Sequence, residues 1–405
     1  MAIAALDRST GRSAFRDGSV MPTPRAPGTS WDIAVVRDRD GFEALGQEWN
    51  DLFARAGHPE HLFQDHRWLS CWADHYLGDA VGLRIVTGRC DGRLAMIWPL
   101  VETFRFGRLT RLGWMGEPVS QYGDVLLEQG PRSQELLALG WQAVRALGAD
   151  LAILRKTRGD SNVGGLLARV ATSCENAQAP FADLAGKSAD ALARRSPKAQ
   201  SSRRRLLRRL HETGEIAFCA GVEGAEAERL IGAAFAMKRE WLLRRGLYSE
   251  PIESGAMPDF FLDLLRRKPG PVETLVDAVL RDGEPVAVGV TLSCKGACFG
   301  HLLTHDPACE KQGVGILLAD HVMKSCLARG MTRYDMLAPF DPYKAEWADG
   351  AAPVADWVVG FSPPGRLLAR VWSGGPRQRI KTALKKMPPP IGRAFWPLLR
   401  RIRGR

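Results

Sequence analysis

The chain has 405 residues, 45% of them apolar and 25% charged, and a net charge of +11. These values describe an ordinary globular protein long enough for two or three domains. No apolar run approaches the length of a membrane span, and the N-terminus lacks the order of a signal peptide, so a cytoplasmic protein is expected.

The eight cysteines are scattered, with no CxxC and no paired histidine spacing. That argues against a disulfide framework or a bound metal and for reduced thiols. The charge is uneven. Residues 357–405 hold 12 Lys and Arg and no acid, which leaves 44 basic and 45 acidic residues elsewhere. The body is near neutral, and the basic excess belongs to the tail.

Residues 1–30 are rich in Gly, Pro, Ser and Arg without periodicity and read as disordered. A strand pattern over 82–90, the turn Asp91-Gly92 and a returning pattern over 93–103 predict a hairpin. Strands are expected at 109–115 and 122–127, a helix at 133–147 and a closing strand at 150–154. The turn before that helix, Glu128-Gln129-Gly130-Pro131, carries no GxG.

The segment 194–209 has eight Lys or Arg, no acid and a helical LLRRL period. Residues 226–245 predict a further helix, with Phe235, Lys238 and Trp241 on successive turns. The first plan then repeats. Strands at 273–281, 284–294 and 298–305 are joined by Asp282-Gly283 and Lys295-Gly296. A loop with Gly313 and Gly315, a helix at 316–329 stopped by Gly330, and a strand at 332–337 complete the copy. The expected fold is α+β: two tandem domains with mixed, mostly antiparallel sheets and flanking helices. They would span 31–190 and 191–372, with a basic tail at 373–405.

Gly313-Val314-Gly315 opens a helix directly after an antiparallel meander. The first N–H groups of a helix have no internal partner and the dipole is positive there, so two glycines let a diphosphate approach. The GxGxxG after a parallel strand that marks a dinucleotide fold is absent.

The stretch Glu310-Lys311-Gln312-Gly313-Val314-Gly315 resembles the Gln/Arg-x-x-Gly-x-Gly/Ala cofactor motif of the GNAT superfamily, with Glu310 departing at the first position. With FQDHRWLSCW at 63–72, SSRRRLLRRL at 201–210 and RYDML followed by PYK at 333–344, residues 31–361 resemble the FemAB-like, CelD-type branch of double-GNAT proteins. The resemblance implies two tandem GNAT-like (acyl-CoA N-acyltransferase) domains, with acyl-CoA bound only by the second. Lys311, Gln312, Gly313, Val314 and Gly315 would hold the cofactor.

In that branch a Tyr-Lys pair lies near the thioester, which places Tyr343 and Lys344 there. Tyr343 would protonate the leaving sulfur. Lys344 would either bind phosphate or stabilise developing negative charge. His301 and His305, an even number of positions apart on one strand, are expected on the same side, either one able to take a proton from an amine. Asp335 would orient His301 or a substrate ammonium. Lys238, Trp241 and His305 are candidate substrate-binding residues.

The reaction implied is transfer of an acyl group from acyl-CoA to an amine without a covalent enzyme intermediate. The acceptor expected is an amino sugar of an envelope or exopolysaccharide precursor, with a long-chain amino lipid as the alternative. A non-catalytic envelope binding module and an aminoacyl-tRNA-dependent transferase are the competing readings. The basic helix lacks interleaved aromatics, which argues against nucleic acid. Residues 377–405 alternate basic stretches with Phe395, Trp396, Leu398, Leu399 and Ile402, a composition suited to an anionic inner-membrane surface.

Overall fold

The computed structural model describes residues 30–105, 109–188 and 197–372. The expected disorder before residue 30 and the tail from residue 373 lie outside the described residues. The first part runs β1 (Trp31–Val36), α1 (Arg39–Ala44), α2 (Gly46–Ala56), α3 (His66–Tyr76), β2 (Val81–Cys90), β3 (Arg93–Arg105), β4 (Leu109–Trp114), β5 (Leu126–Leu127), α4 (Ser133–Ala146), β6 (Leu151–Arg158), α5 (Gly164–Val170) and β7 (Ser173–Asp183). The second runs α6 (Pro197–His211), β8 (Ile216–Cys219), α7 (Gly224–Arg244), α8 (Glu250–Glu253), α9 (Ala256–Arg266), β9 (Val272–Arg281), β10 (Glu284–Cys294), β11 (Ala297–His305), α10 (Val314–Ala328), β12 (Arg333–Asp335), β13 (Gly350–Gly360) and α11 (Pro363–Trp372).

The repeated plan is present. Each half has an antiparallel meander closed by a parallel strand, β4 with β6 and β11 with β12. The hairpin turns have the left-handed backbone that such tight connections need: φ is 49° and 82° at Asp91-Gly92, 53° and 84° at Asp282-Gly283, and 46° and 81° at Lys295-Gly296.

The two halves share one sheet, ordered β1-β2-β3-β4-β6-β13-β7-β12-β11-β10-β9-β8. Strand β13, late in the sequence, inserts between β6 and β7 of the first half, and β7 continues onto β12. The division at 190/191 is therefore one of sequence, while in space the halves interlock. The largest apolar cluster does the same. It joins Trp49, Phe63 and Trp68 of the first half to Phe235, Phe260 and Phe261 of the second.

Two expected strands are shorter in the structure. Of 122–127 only Leu126–Leu127 pairs, because Gln64 Nε2 binds the Tyr122 carbonyl at 2.9 Å and Gly123 N–H goes to the Lys156 carbonyl at 3.3 Å. Of 332–337 only Arg333–Asp335 pairs, because Asp335 Oδ1 takes the Leu337 N–H at 2.8 Å and Leu337 turns to φ 59°.

Asp65 caps α3 by accepting the Trp68 N–H at 3.0 Å, yet its other oxygen is buried without a hydrogen-bond partner among the described residues. Burial pushes its carboxyl up to about 6. The folded state then binds this proton more tightly than the unfolded chain does. The contribution is fully present below the unfolded value near 4 and is lost as pH rises through about 6. Wild-type stability in urea should rise between pH 7 and pH 5 relative to Asp65→Asn, by a difference of about 1 kcal/mol. Parallel curves for the two proteins would contradict this.

Candidate functional site

Strands β11 and β12 pair only at Ala297–Arg333, Cys298–Tyr334 and Phe299–Asp335. Strand β12 then ends while β11 continues to His305, so the backbone of β11 beyond Phe299 faces no strand on that side. A cavity of about 210 Å³ occupies this opening, lined among others by Lys238, His301, Tyr334, Tyr343 and Lys344. The hydroxyl of buried Tyr334 closes over Gly300 so tightly that a Cβ there would lie 2.3 Å from it. Only glycine fits at that point of the strand.

At the end of β11, the short turn Pro307–Gln312 leads into α10. Gly313 has φ 68° and caps the helix, and its carbonyl accepts the N–H groups of Ile316 and Leu317 at 3.0 and 3.3 Å. A Cβ on Gly313 would lie 2.8 Å from the methyls of Leu206 on α6, and one on Gly315 would lie 3.0 Å from His305 Nδ1. The first N–H groups of α10 thus emerge beside His305 at the end of β11, at the positive end of a 15-residue helix whose later residues Ala319 and Met323 line the cavity. Gln312 Oε1 is buried with no hydrogen-bond partner among the described residues, and Lys311 is exposed. Glu310 accepts from Arg245 Nη2 at 3.0 Å, so the residue departing from the motif points at α7.

On α7, Lys238 Nζ and Arg245 lie 4.2 and 4.3 Å from the centre of the Trp241 ring. Lys238 has no ion pair among the described residues, and burial followed by repulsion from Arg245 lowers its pKa. Arg245 was missed in the sequence. Its position, seven residues after Lys238 and four after Trp241, puts it on the same helix face and would have marked it.

The four expected catalytic residues divide. His301 lines the cavity, donates from Nε2 to the Val119 carbonyl at 2.7 Å, and sits among the rings of Phe63, Trp68 and Phe261. Burial pushes it down to about 4, so the ring is neutral with Nδ1 left as an acceptor. Tyr343 is exposed at the mouth of the cavity.

Asp335 and Lys344 do not serve as expected. The Asp335 carboxylate accepts Tyr122 Oη at 2.9 Å, Arg158 Nη1 at 3.1 Å and the Leu337 N–H at 2.8 Å. It fixes the backbone of Leu337, which lines the cavity, and makes no hydrogen bond to His301 among the described residues. Lys344 Nζ donates to the carbonyls of Leu337 and Pro339, each at 2.9 Å, and ties down the 337–347 loop. Lys344→Met should therefore destabilise the protein by about 1–3 kcal/mol, because the buried Leu337 carbonyl and the part-buried Pro339 carbonyl lose their donor. A melting temperature equal to wild type would contradict that.

The two histidines also part. One extra residue stands in β11 between the pairs Thr291–Gly300 and Val290–Leu302, and this bulge breaks the alternation. His301 turns to the aromatic face, while His305 lies against Gly315 at the start of α10.

Cys71, His75 and Asp263 bring ligand-type atoms within 4.8 Å of one another. Arg267 donates to the same Asp263 oxygen at 3.1 Å, so the cluster is tied as an ion network between α3 and α9.

A half-sheet meander, a parallel strand that splays away, and a glycine turn feeding the next helix make up the frame of this site. Residues 197–345 match the acetyltransferase (GNAT) domain family. The whole described chain is similar in structure to FemX, at 11% identity and TM-score 0.54, over 80% of this chain and 98% of that one. It is also similar to the C-terminal domain of a protein titled lysylphosphatidylglycerol synthetase from Agrobacterium fabrum, at 12% identity and TM-score 0.50, over 82% and 95%. A tandem GNAT protein from the clavulanic acid biosynthesis pathway aligns at 11% identity and TM-score 0.47, over 82% and 99%. Curated sequences give no match. The matched GNAT domain lies in the second half of the chain, and the two halves together share the fold of FemX.

Proposed function

We propose that the chain is an N-acyltransferase that moves an acyl group from acyl-CoA to the amine of a membrane-associated acceptor. The carrying observation is the opening between β11 and β12: the free edge of β11 and His301 meet in one cavity, which α10 walls with Ala319 and Met323, while the N-terminus of the same helix lies against His305 at the end of β11. The diphosphate of coenzyme A would lie on the first N–H groups of α10, with Gly313, Val314 and Gly315 beneath it and Lys311 and Gln312 at its side. The thioester carbonyl would then reach the free N–H edge of β11, which polarises it as negative charge develops.

The acceptor amine attacks the thioester carbon, the C–S bond breaks, and the amine proton leaves toward the neutral Nδ1 of His301 or solvent. Tyr343, at the cavity mouth, donates to the departing sulfur. Lys238 and Trp241 line the approach of the acceptor, with His305 beside the turn. An amino sugar of an envelope or exopolysaccharide precursor is the first acceptor class; a long-chain amino lipid is the second. The basic tail at 377–405 would hold the protein at the inner membrane, on the cytoplasmic side where acyl-CoA is available.

Release of free CoA thiol from an acyl-CoA series, measured with a soluble amino sugar and with a long-chain amine, tests this reading. Amine-dependent release supports it, and no release with either acceptor class contradicts it. His301→Gln should lower kcat/KM about 100-fold. Because His301 is held near 4, the acid limb it contributes should lie well below pH 6; a wild-type limb at 6.5 that disappears in His301→Gln would overturn its assignment.

A non-catalytic binding module is the second reading. It is favoured by the structural use of Asp335 and Lys344, which leaves fewer groups for chemistry. CoA binding without CoA release under the same assay would select it.

A further inference from the structure

We propose that the outward face of α11, with the groove at its start, is a docking surface for an anionic phospholipid bilayer. This rests on the membrane-associated acceptor proposed above and extends it from the tail to the folded body. Helix α11 buries Gly365 and Ala369 against the sheet, with Ser173 Oγ donating to the Ala369 carbonyl at 2.8 Å. Its outward face carries Leu367, 65% exposed, and Val371, 52% exposed, one turn apart. Arg366 and Arg370, also exposed, flank them. A helix on a globular surface turns polar residues outward, and here an apolar pair stands out between two arginines instead.

Beside Arg366 lies an open groove of about 550 Å³ with Trp141, Val359 and Phe361 in its lining and Arg145 at its edge. No acidic residue lines it. Arg145 and Arg370 have no ion pair among the described residues. The chain leaves the described residues at Trp372, and the 33 residues that follow contain ten Lys and Arg and no acid. Apolar side chains flanked by arginines, continuous with a polybasic segment, match a bilayer interface: Leu and Val enter the acyl boundary while guanidinium groups meet lipid phosphates. A second copy of this face would set arginine against arginine, which disfavours self-pairing.

The test uses the full chain with vesicles of phosphatidylcholine, with and without phosphatidylglycerol, and compares wild type with Leu367→Asp/Val371→Asp. Both substituted side chains are exposed and outside the cavity. Wild type should sediment with the anionic vesicles only, and the double variant should bind them about tenfold more weakly or worse, with an unchanged melting temperature. Three results would overturn the proposal. Wild type could ignore anionic vesicles. The variant could bind as wild type does, which makes the tail sufficient. The variant could melt lower or lose a dimer, which means that protein covers this face. Acyl transfer to a soluble amine, measured in parallel, keeps the two readings apart: vesicle binding can fail while transfer persists, and the reverse.

Discussion

Asp335→Ala should lower the unfolding free energy by about 3 kcal/mol, because Tyr122 Oη, the Leu337 N–H and Arg158 Nη1 all lose their buried acceptor, although Arg158 keeps its pair with Asp160 at 2.8 Å. The Asp335 and Arg158 side chains are almost fully enclosed, at 1% and 3% exposure, and they join β12 of the second half to β6 of the first. Tyr122 adds a third partner, its ring 5.1 Å from the Arg158 guanidinium carbon. Burial raises the Asp335 pKa despite the neighbouring Leu337 N–H and Arg158, so its ionised form depends on those partners remaining in place. Arg158→Ala should cost a similar amount. Arg158→Met combined with Asp335→Leu should cost less than either alanine variant, since no buried charge is left unpaired. Urea unfolding of the three variants decides. If Asp335→Ala kept wild-type stability while CoA release fell, the carboxylate would be catalytic after all and the structural assignment would be wrong.

The second large effect belongs to the glycine turn. Gly315→Trp should weaken coenzyme A binding at least about 100-fold while leaving the melting temperature close to wild type. The first atom of the new side chain already meets His305 at 3.0 Å, so the indole must extend over the first turn of α10, where the diphosphate is expected. Gly313 makes a poorer probe. Its φ of 68° and the Leu206 methyls 2.8 Å from a Cβ mean that substitution there disturbs the fold itself. A Gly315→Trp protein that binds coenzyme A as wild type does would move the donor site elsewhere.

The parts that local pattern governs were legible in the sequence. Three hairpin turns, two meanders and the helix after Gly313 follow from turn chemistry and periodicity over a few residues. The exchange of β13 and β7 between the halves was not, because no local feature of residues 350–360 says which strands they join. For the same reason the sequence pairs Asp335 with His301 or a substrate ammonium, whereas its partners lie at Tyr122 and Arg158, roughly two hundred residues away. Lys344 is expected near the thioester, as a phosphate ligand or a stabiliser of negative charge, whereas in the structure its Nζ donates to carbonyls of its own loop. The bulge at His301 escaped for a different reason. An extra residue in a strand carries no mark in composition, yet it reverses the face of every side chain after it. Of the expected residues the cavity brings together Lys238, His301, Tyr343 and Lys344, while Gly313, Gly315 and His305 gather at the start of α10 and Trp241 lies between Lys238 and Arg245.

The most direct test is calorimetric titration of the full chain with coenzyme A, in wild type and in Gly315→Trp. One site per chain in wild type, with the binding heat abolished in the variant at unchanged melting temperature, is the predicted result. No binding to wild type, or equal binding to both proteins, would contradict a coenzyme A site at the start of α10.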